Sequence, residues 1–332
     1  MSSKFAAASV PPPAAARGKS AAPAVPLDFA AIEAALRGLA SGVETRLEFR
    51  FAHPTSVRVA LDRTEALADA LIALDVRPGG ICVVSALASR ETLDGIAAAG
   101  LVPWLVDVDP YSWMFDPGHL RERLPEAPGP LEAIVPCCAF GRAPDLQAWA
   151  AFRAETGLPI LVDAFEAFDG IMDAAVPVLV GLPGGQGVFL ASEDSAFIDR
   201  LSAPGFDGES GLDAWPHQRL RLATAAQRLR MLLIDAPVGF QPGWGMSWVS
   251  GACALTLPDG AADGVAERLL AEGLFPESVG VYPASAAMDD MPVADHLSIS
   301  LISLPFDGDL DIAGLDRLAD ALRRAAACEV SA

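Results

Sequence analysis

Residues 158–170, LPILVDAFEAFDG, set three carboxylates, Asp163, Glu166 and Asp169, directly behind the apolar run 158–162, which reads as a buried parallel strand. Ligands bind at the carboxyl ends of strands in open α/β sheets, so Asp163 stands where chemistry is usually done. It could equally cap a following helix. Thr64, in DRTEAL, reads as an N-cap. Nucleophiles are scarce: lysine occurs only as Lys4 and Lys19. Arginine does not replace it, because a guanidinium stays protonated and delocalised near neutral pH. The four histidines, His53, His119, His217 and His296, are scattered, and His217 in DAWPHQRLR reads as a solvated loop residue. No HExxH or other metal spacing and no serine-histidine-acid wording occurs, so no metal is expected. DGDLD, residues 307–311, lacks the distal Glu of a calcium loop and reads as a solvated helix start. GLPGGQG, residues 181–187, lacks the spacing and Lys of a P-loop and reads as a hairpin turn.

The elements that must position these residues alternate. Helices are expected over 27–42, ended by Gly42, and over 64–76, closed by Pro78, Gly79 and Gly80. ICVVSA then reads as strand, RETLDGIAAAG as helix, VPWLVDVD and EAIVPCCAF as strands, APDLQAWAAFRAETG as helix and PILVDAF as strand. Such βαβ repetition predicts a mostly parallel sheet covered by helices on both faces. VPVLVGLPGGQGVFLASED reads as two short strands around a turn, and residues 216–236 as a long helix. Beyond Pro237 the order is mixed: strand SGACALTLP, helix GAADGVAERLLAEG, strand LSISLISLP and helix IAGLDRLADALRRAAA. The expected organisation is a low-complexity tail over 1–26, a large α/β domain over 27–236 and a small α+β domain over 237–332.

A chain of 332 residues, 52% of them hydrophobic, can bury a core of that size. Its apolar runs fall short of the roughly 20 residues a membrane-spanning helix needs. The formal charge of -20 repels phosphate backbones and anionic lipid, which argues against nucleic acid and membrane as partners. Cys82, Cys137, Cys138, Cys253 and Cys328 are odd in number and lack CxxC spacing, as expected of reduced, buried thiols in a cytoplasmic protein.

Four stretches in order carry a resemblance over about residues 28–326: AGLVPWLVDVDPYSWMFDP, AIVPCCAFGRAPDLQAWAAFRAETG, LPILVDAFEAFDG and LISLPFDGDLDIAGLDRLADAL. They are similar to the DegT/DnrJ/StrS family of pyridoxal-phosphate-dependent sugar aminotransferases. That resemblance implies fold type I, with a large mostly parallel sheet domain and a small C-terminal α+β domain, and a homodimer or a heterodimer with an active paralogue. It also implies that Asp163 pairs with the cofactor's pyridinium nitrogen, and that Thr64, at the start of a helix, helps hold its phosphate.

Departures from the family pattern fall on the same site. The family's Gly before that Thr is Arg63, its ring-stacking aromatic is Ser89, its Gln after the Asp is Glu166 and its His before Leu-Tyr-Gly is Cys138. Ser89 offers no stacking area, and Glu166 adds negative charge beside Asp163. The Schiff-base lysine has no counterpart, and no histidine falls in 181–187, so no catalytic residue is assigned. The expected function is a degenerate family member without transaminase activity, a partner, regulatory or ligand-binding subunit in saccharide or natural-product biosynthesis, with a possible sugar-nucleotide ligand. Cofactor is expected to be none, or noncovalent pyridoxal or pyridoxamine phosphate held by Asp163, Thr64, Glu166 and Ser89. The alternatives are a sugar-nucleotide aminotransferase or dehydratase binding its cofactor noncovalently, and an acidic interaction module.

Overall fold

Alternate residues of the central strands point into two different cores, which is why those strands read as continuous apolar runs. Val83, Ile134 and Val178 face one cluster, while Cys82, Val84, Ala133, Val135 and Leu179 face the other. A strand buried on both faces needs no polar alternation. The computed structural model describes residues 42–184, 187–202, 211–278, 287–288, 290–306 and 311–330.

In chain order the helices and strands are α1 (Val43–Glu48), β1 (Ser56–Ala60), α2 (Arg63–Ala73), β2 (Ile81–Ser85), α3 (Arg90–Ala98), β3 (Val102–Val106), α4 (Pro117–Arg123), β4 (Leu131–Val135), α5 (Leu146–Thr156) and β5 (Val162–Asp163). They continue as β6 (Val178–Gly181), β7 (Val188–Ser192), α6 (Ser195–Arg200), α7 (Trp215–Leu232), β8 (Gly239–Phe240), β9 (Ala252–Thr256) and α8 (Ala262–Ala271). The last are β10 (Glu277–Ser278), β11 (Ala287–Met288), α9 (Pro292–Ser300), β12 (Leu301–Pro305) and α10 (Ile312–Val330).

Two four-stranded sheets, β11-β3-β2-β4 and β1-β7-β6-β5, are linked where β4 meets β5. Parallel bridges Ile134↔Ile160 and Cys137↔Asp163 make that link. Strands β11, β3, β2 and β4 run parallel, as do β5 and β6, and β7 is antiparallel to both β6 and β1. Leu67, Leu71, Ile96 and Phe197 cover one face, and Leu120, Trp149 and Phe152 the other. The third sheet, β10-β12-β9-β8, is antiparallel. It shares a separate core with α7, α8 and α10, including Leu229, Leu255, Leu269, Leu304 and Leu322.

The expected helix over 27–42 lies outside the described residues apart from Gly42, which is the N-cap of α1. The true cap of α2 is Asp62, whose side chain accepts from the Glu65 N–H, so Thr64 is an internal first-turn residue rather than the N-cap. LSISLISLP divides at Ser300: its first four residues finish α9, which Pro292 starts, and only Leu301 onward is strand. The alternation misleads here because Leu297 and Ile299 continue the pattern of the strand, although α9 buries Ala294, Leu297 and Ser300 and leaves Ile299 exposed. His217 lies in α7 rather than a loop. Helix α5 ends as read, on Gly157 at φ 71°, a left-handed cap that glycine adopts without strain.

Helices α2 and α3 approach closely because Gly95 has no side chain. A Cβ there would lie 2.9 Å from Leu67 Cδ2 and 3.0 Å from the Thr64 carbonyl oxygen. The carbonyl is backbone and cannot swing aside, so Gly95→Ala is expected to lower stability by about 1–3 kcal/mol, read as a lower denaturant midpoint at unchanged slope.

Candidate functional site

The loop after β5 is tied down by cations from three distant parts of the chain. At its start, Asp163 is buried, with no exposed side-chain surface. The first residue of α2 supplies its partner: Arg63 Nη2 donates to Asp163 Oδ2 at 2.7 Å. The same nitrogen reaches Thr92 Oγ1 at 3.0 Å, and Thr92 donates its hydroxyl to Asp163 Oδ2 at 2.5 Å. The Phe165 N–H faces Oδ1 at 3.4 Å. No helix follows Asp163, so the helix-cap alternative does not hold; the carboxylate is a buried ion-pair member instead.

The guanidinium is also stacked, its carbon 4.4 Å from the centre of the Phe165 ring. Burial alone would lower the Arg63 pKa, but the charge and hydrogen bond of Asp163 outweigh it and leave it raised. Arg63 is therefore a permanent cation here. Farther along, Arg50 lies over the Phe168 ring at 3.8 Å and donates to the carbonyl oxygens of Phe168 and Ile171. Burial lowers the Arg50 pKa to about 10, against the pull of Asp169. Asp169 accepts from Arg219 Nε at 2.5 Å and from the Val249 N–H at 3.1 Å.

Glu166 differs from its two acidic neighbours. Its side chain reaches solvent, although protein crowds its carboxyl. The dehydration this imposes is the largest influence on its carboxyl. Arg63 and the Phe140 N–H oppose it, Asp163 and Glu277 add to it, and the pKa is pushed up to about 7. Gly141, at φ 99°, packs against the Glu166 backbone: a Cβ there would meet Ser250 Cβ at 2.5 Å and the Glu166 carbonyl oxygen at 2.8 Å. That approach brings the segment before β9 against the loop after β4.

Ser89 is the N-cap of α3: its oxygen accepts from the Thr92 N–H and lies 3.0 Å from Thr92 Oγ1. The structure thus joins Asp163 and Ser89 through Thr92, with Glu166 near by, and leaves Thr64 in the first turn of α2. Sequence reasoning missed Arg63 and Thr92 as site residues. Arg63 was legible as a departure from glycine, but its partner lies 100 residues away.

Cys82, Cys137, Cys138 and Cys253 are free and buried, and burial raises the pKa of each thiol. Among the described residues no group of His, Cys, Asp and Glu could hold a metal, and no helix is long and apolar enough to cross a membrane.

The sheet order and the carboxylate at the end of β5 define the class: this is the fold of the type I pyridoxal-phosphate-dependent transferases. A crystallised DegT DnrJ EryC1 StrS aminotransferase from Brucella abortus superposes with a TM-score of 0.71 at 21% identity, over 90% of this chain and 94% of that one. Over residues 42–173 the chain carries the sequence pattern of the DegT/DnrJ/EryC1/StrS aminotransferase family. A pleiotropic regulatory protein of Geobacillus stearothermophilus is 33% identical over 104 residues, 31% of this chain and 27% of that protein. The UDP-2-acetamido-2-deoxy-3-oxo-D-glucuronate aminotransferase of Pseudomonas aeruginosa is 28% identical over 127 residues, 37% of this chain and 34% of the enzyme. These matches span about a third or less of either relative's length.

The cofactor this class implies does not fit the residues present at Asp163. The carboxylate assigned to its ring nitrogen is sealed from solvent and already neutralised by Arg63. Residues 42–332 contain no lysine.

Removing one member of a buried ion pair leaves the other charge uncompensated. Arg63→Ala is therefore expected to lower stability by about 3–5 kcal/mol, measured by urea unfolding. A raised folded-state pKa means that stability contributed by Glu166 below pH about 4.5 is lost as pH rises to about 7 and is constant above. Glu166→Gln should flatten that segment of the unfolding midpoint plotted against pH.

Proposed function

We propose that this chain is a degenerate member of the sugar aminotransferase family without transaminase activity, acting as a partner, regulatory or ligand-binding subunit in saccharide or natural-product biosynthesis. The observation that carries the reading is the Arg63–Asp163 pair at the end of β5, in a body of the chain that has no lysine. Transamination on this fold requires an amine that captures the cofactor aldehyde and then carries a proton between carbons. An arginine beside the carboxylate does neither.

The biosynthetic setting is supported by the sugar aminotransferase among the relatives, and the regulatory role by the pleiotropic regulatory protein. What the chain retains is an exposed carboxyl, Glu166, three residues beyond the buried pair. A hydroxyl-rich ligand such as a sugar nucleotide suits an exposed carboxyl at this position, which accepts hydrogen bonds from hydroxyls. We assign the physiological assembly to a homodimer or a heterodimer with an active paralogue.

The test is purified full-length protein incubated with pyridoxal phosphate and amino donors. The expected result is no visible-region aldimine band that survives dialysis and disappears with borohydride, and no amino-group transfer. Steady transfer by the isolated chain would establish the rival reading, a noncovalent cofactor-dependent aminotransferase or dehydratase.

A further inference from the structure

We propose that Arg63 is a built-in occupant of a planar-cation site, so that this fold satisfies with its own side chain the carboxylate that would otherwise face a ring cation. Three features make the site specific for a flat, delocalised cation. Asp163 offers a buried carboxylate oxygen 2.7 Å from the donor. Thr92 Oγ1, itself anchored on that carboxylate, accepts a second bond from the same nitrogen. The Phe165 ring supplies a face 4.4 Å from the guanidinium carbon. A π face, a carboxylate and a hydroxyl converging on one group favour a guanidinium or pyridinium over a compact ammonium, which stacks less well and is more strongly hydrated.

The site is held by parts that do not move independently. Arg63 opens α2 behind the Asp62 cap, Thr92 sits in the first turn of α3 behind the Ser89 cap, and Gly95 locks the two helices together. Phe165 is fixed by its carbonyl, which accepts from the Gly181 N–H at 3.0 Å. A Cβ on Gly181 would lie 2.6 Å from that same oxygen, so β6 is shaped to receive the loop. The guanidinium thus meets a preformed surface, and its own attachment to α2 gives it an effective concentration no free ligand matches.

It follows that a free planar cation competes poorly with Arg63 in the wild-type chain and binds once the side chain is shortened. The inference rests on the non-transaminase reading and deepens it. The two fail differently: amino-group transfer sinks that reading, whereas cofactor binding without turnover sinks only this one.

The experiment uses full-length wild type, Arg63→Ala and the milder Arg63→Gln, with Asp163→Asn as control, titrated with methylguanidinium, methylammonium and pyridoxal phosphate. Thermal shift and cofactor absorbance are the readouts. Wild type should show no saturable binding of pyridoxal phosphate. The shortened variants should unfold at lower temperature and be restored by methylguanidinium but not by methylammonium, with methylguanidinium affinity raised roughly tenfold or more over wild type. Asp163-dependent binding of pyridoxal phosphate by wild type would overturn the proposal. So would equal rescue by both cations, or no rescue in either folded variant. Should Arg63→Ala fail to fold, Arg63→Gln and the wild-type titration decide.

Discussion

A buried carboxylate cannot stay charged without a partner, and in this protein the partner of Asp163 is an arginine 100 residues earlier in the chain. That one ion pair ties the start of α2 to the end of β5, and through Thr92 to α3. It is worth most as a constraint. Its net contribution to stability is modest, because desolvating both ions offsets much of their attraction, but loss of either ion exposes the full cost of the other. The same pair converts the end of a parallel strand, where a ligand would ordinarily bind, into an internal junction.

The rest of the β5 loop follows the same logic with different partners. Arg50 lies flat on Phe168 and Arg219 meets Asp169, while Asp169 also receives the Val249 N–H from the segment leading to β9. Arg63 and Arg50 combine a charge with a ring face, a use to which a lysine ammonium is less suited, whereas Arg219 pairs with Asp169 alone among the contacts described. Lysine is absent from all of 42–332, and the cations that brace the loop are arginines. Among the described residues Glu166, alone of the three carboxylates, has no arginine clamp. The Phe140 N–H is its hydrogen-bond partner, and dehydration raises its pKa.

How far the site could be read from residues alone depended on the range of the interaction concerned. Asp163 at a strand end was legible, since strand periodicity acts within a few residues, whereas Ser89 was read only as the replacement of a stacking aromatic although its cap chemistry is equally local. The role of Ser89 in α3 needed only the Thr92 N–H three positions on. Thr64 was misread by a local ambiguity: Asp62 and Thr64 are both capping types, and the geometry chose Asp62 because its side chain reaches the Glu65 N–H. The boundary at Ser300 was lost because Leu297 and Ile299 continue the apolar alternation of β12, although Ile299 is exposed on α9.

Residue order by itself determined the alternation of helices and strands, the doubly buried parallel strands and the want of a lysine nucleophile, because each depends on short-range periodicity or on simple presence. Tertiary structure alone decided what Asp163 does. Whether a carboxylate meets solvent, a ligand or a guanidinium depends on which side chains converge from α2, α3 and the β5 loop, and that convergence is set by packing: the bare surface of Gly95 against α2, and the close passage of Gly181 beneath Phe165. Contacts between residues so far apart leave no periodic trace along the chain.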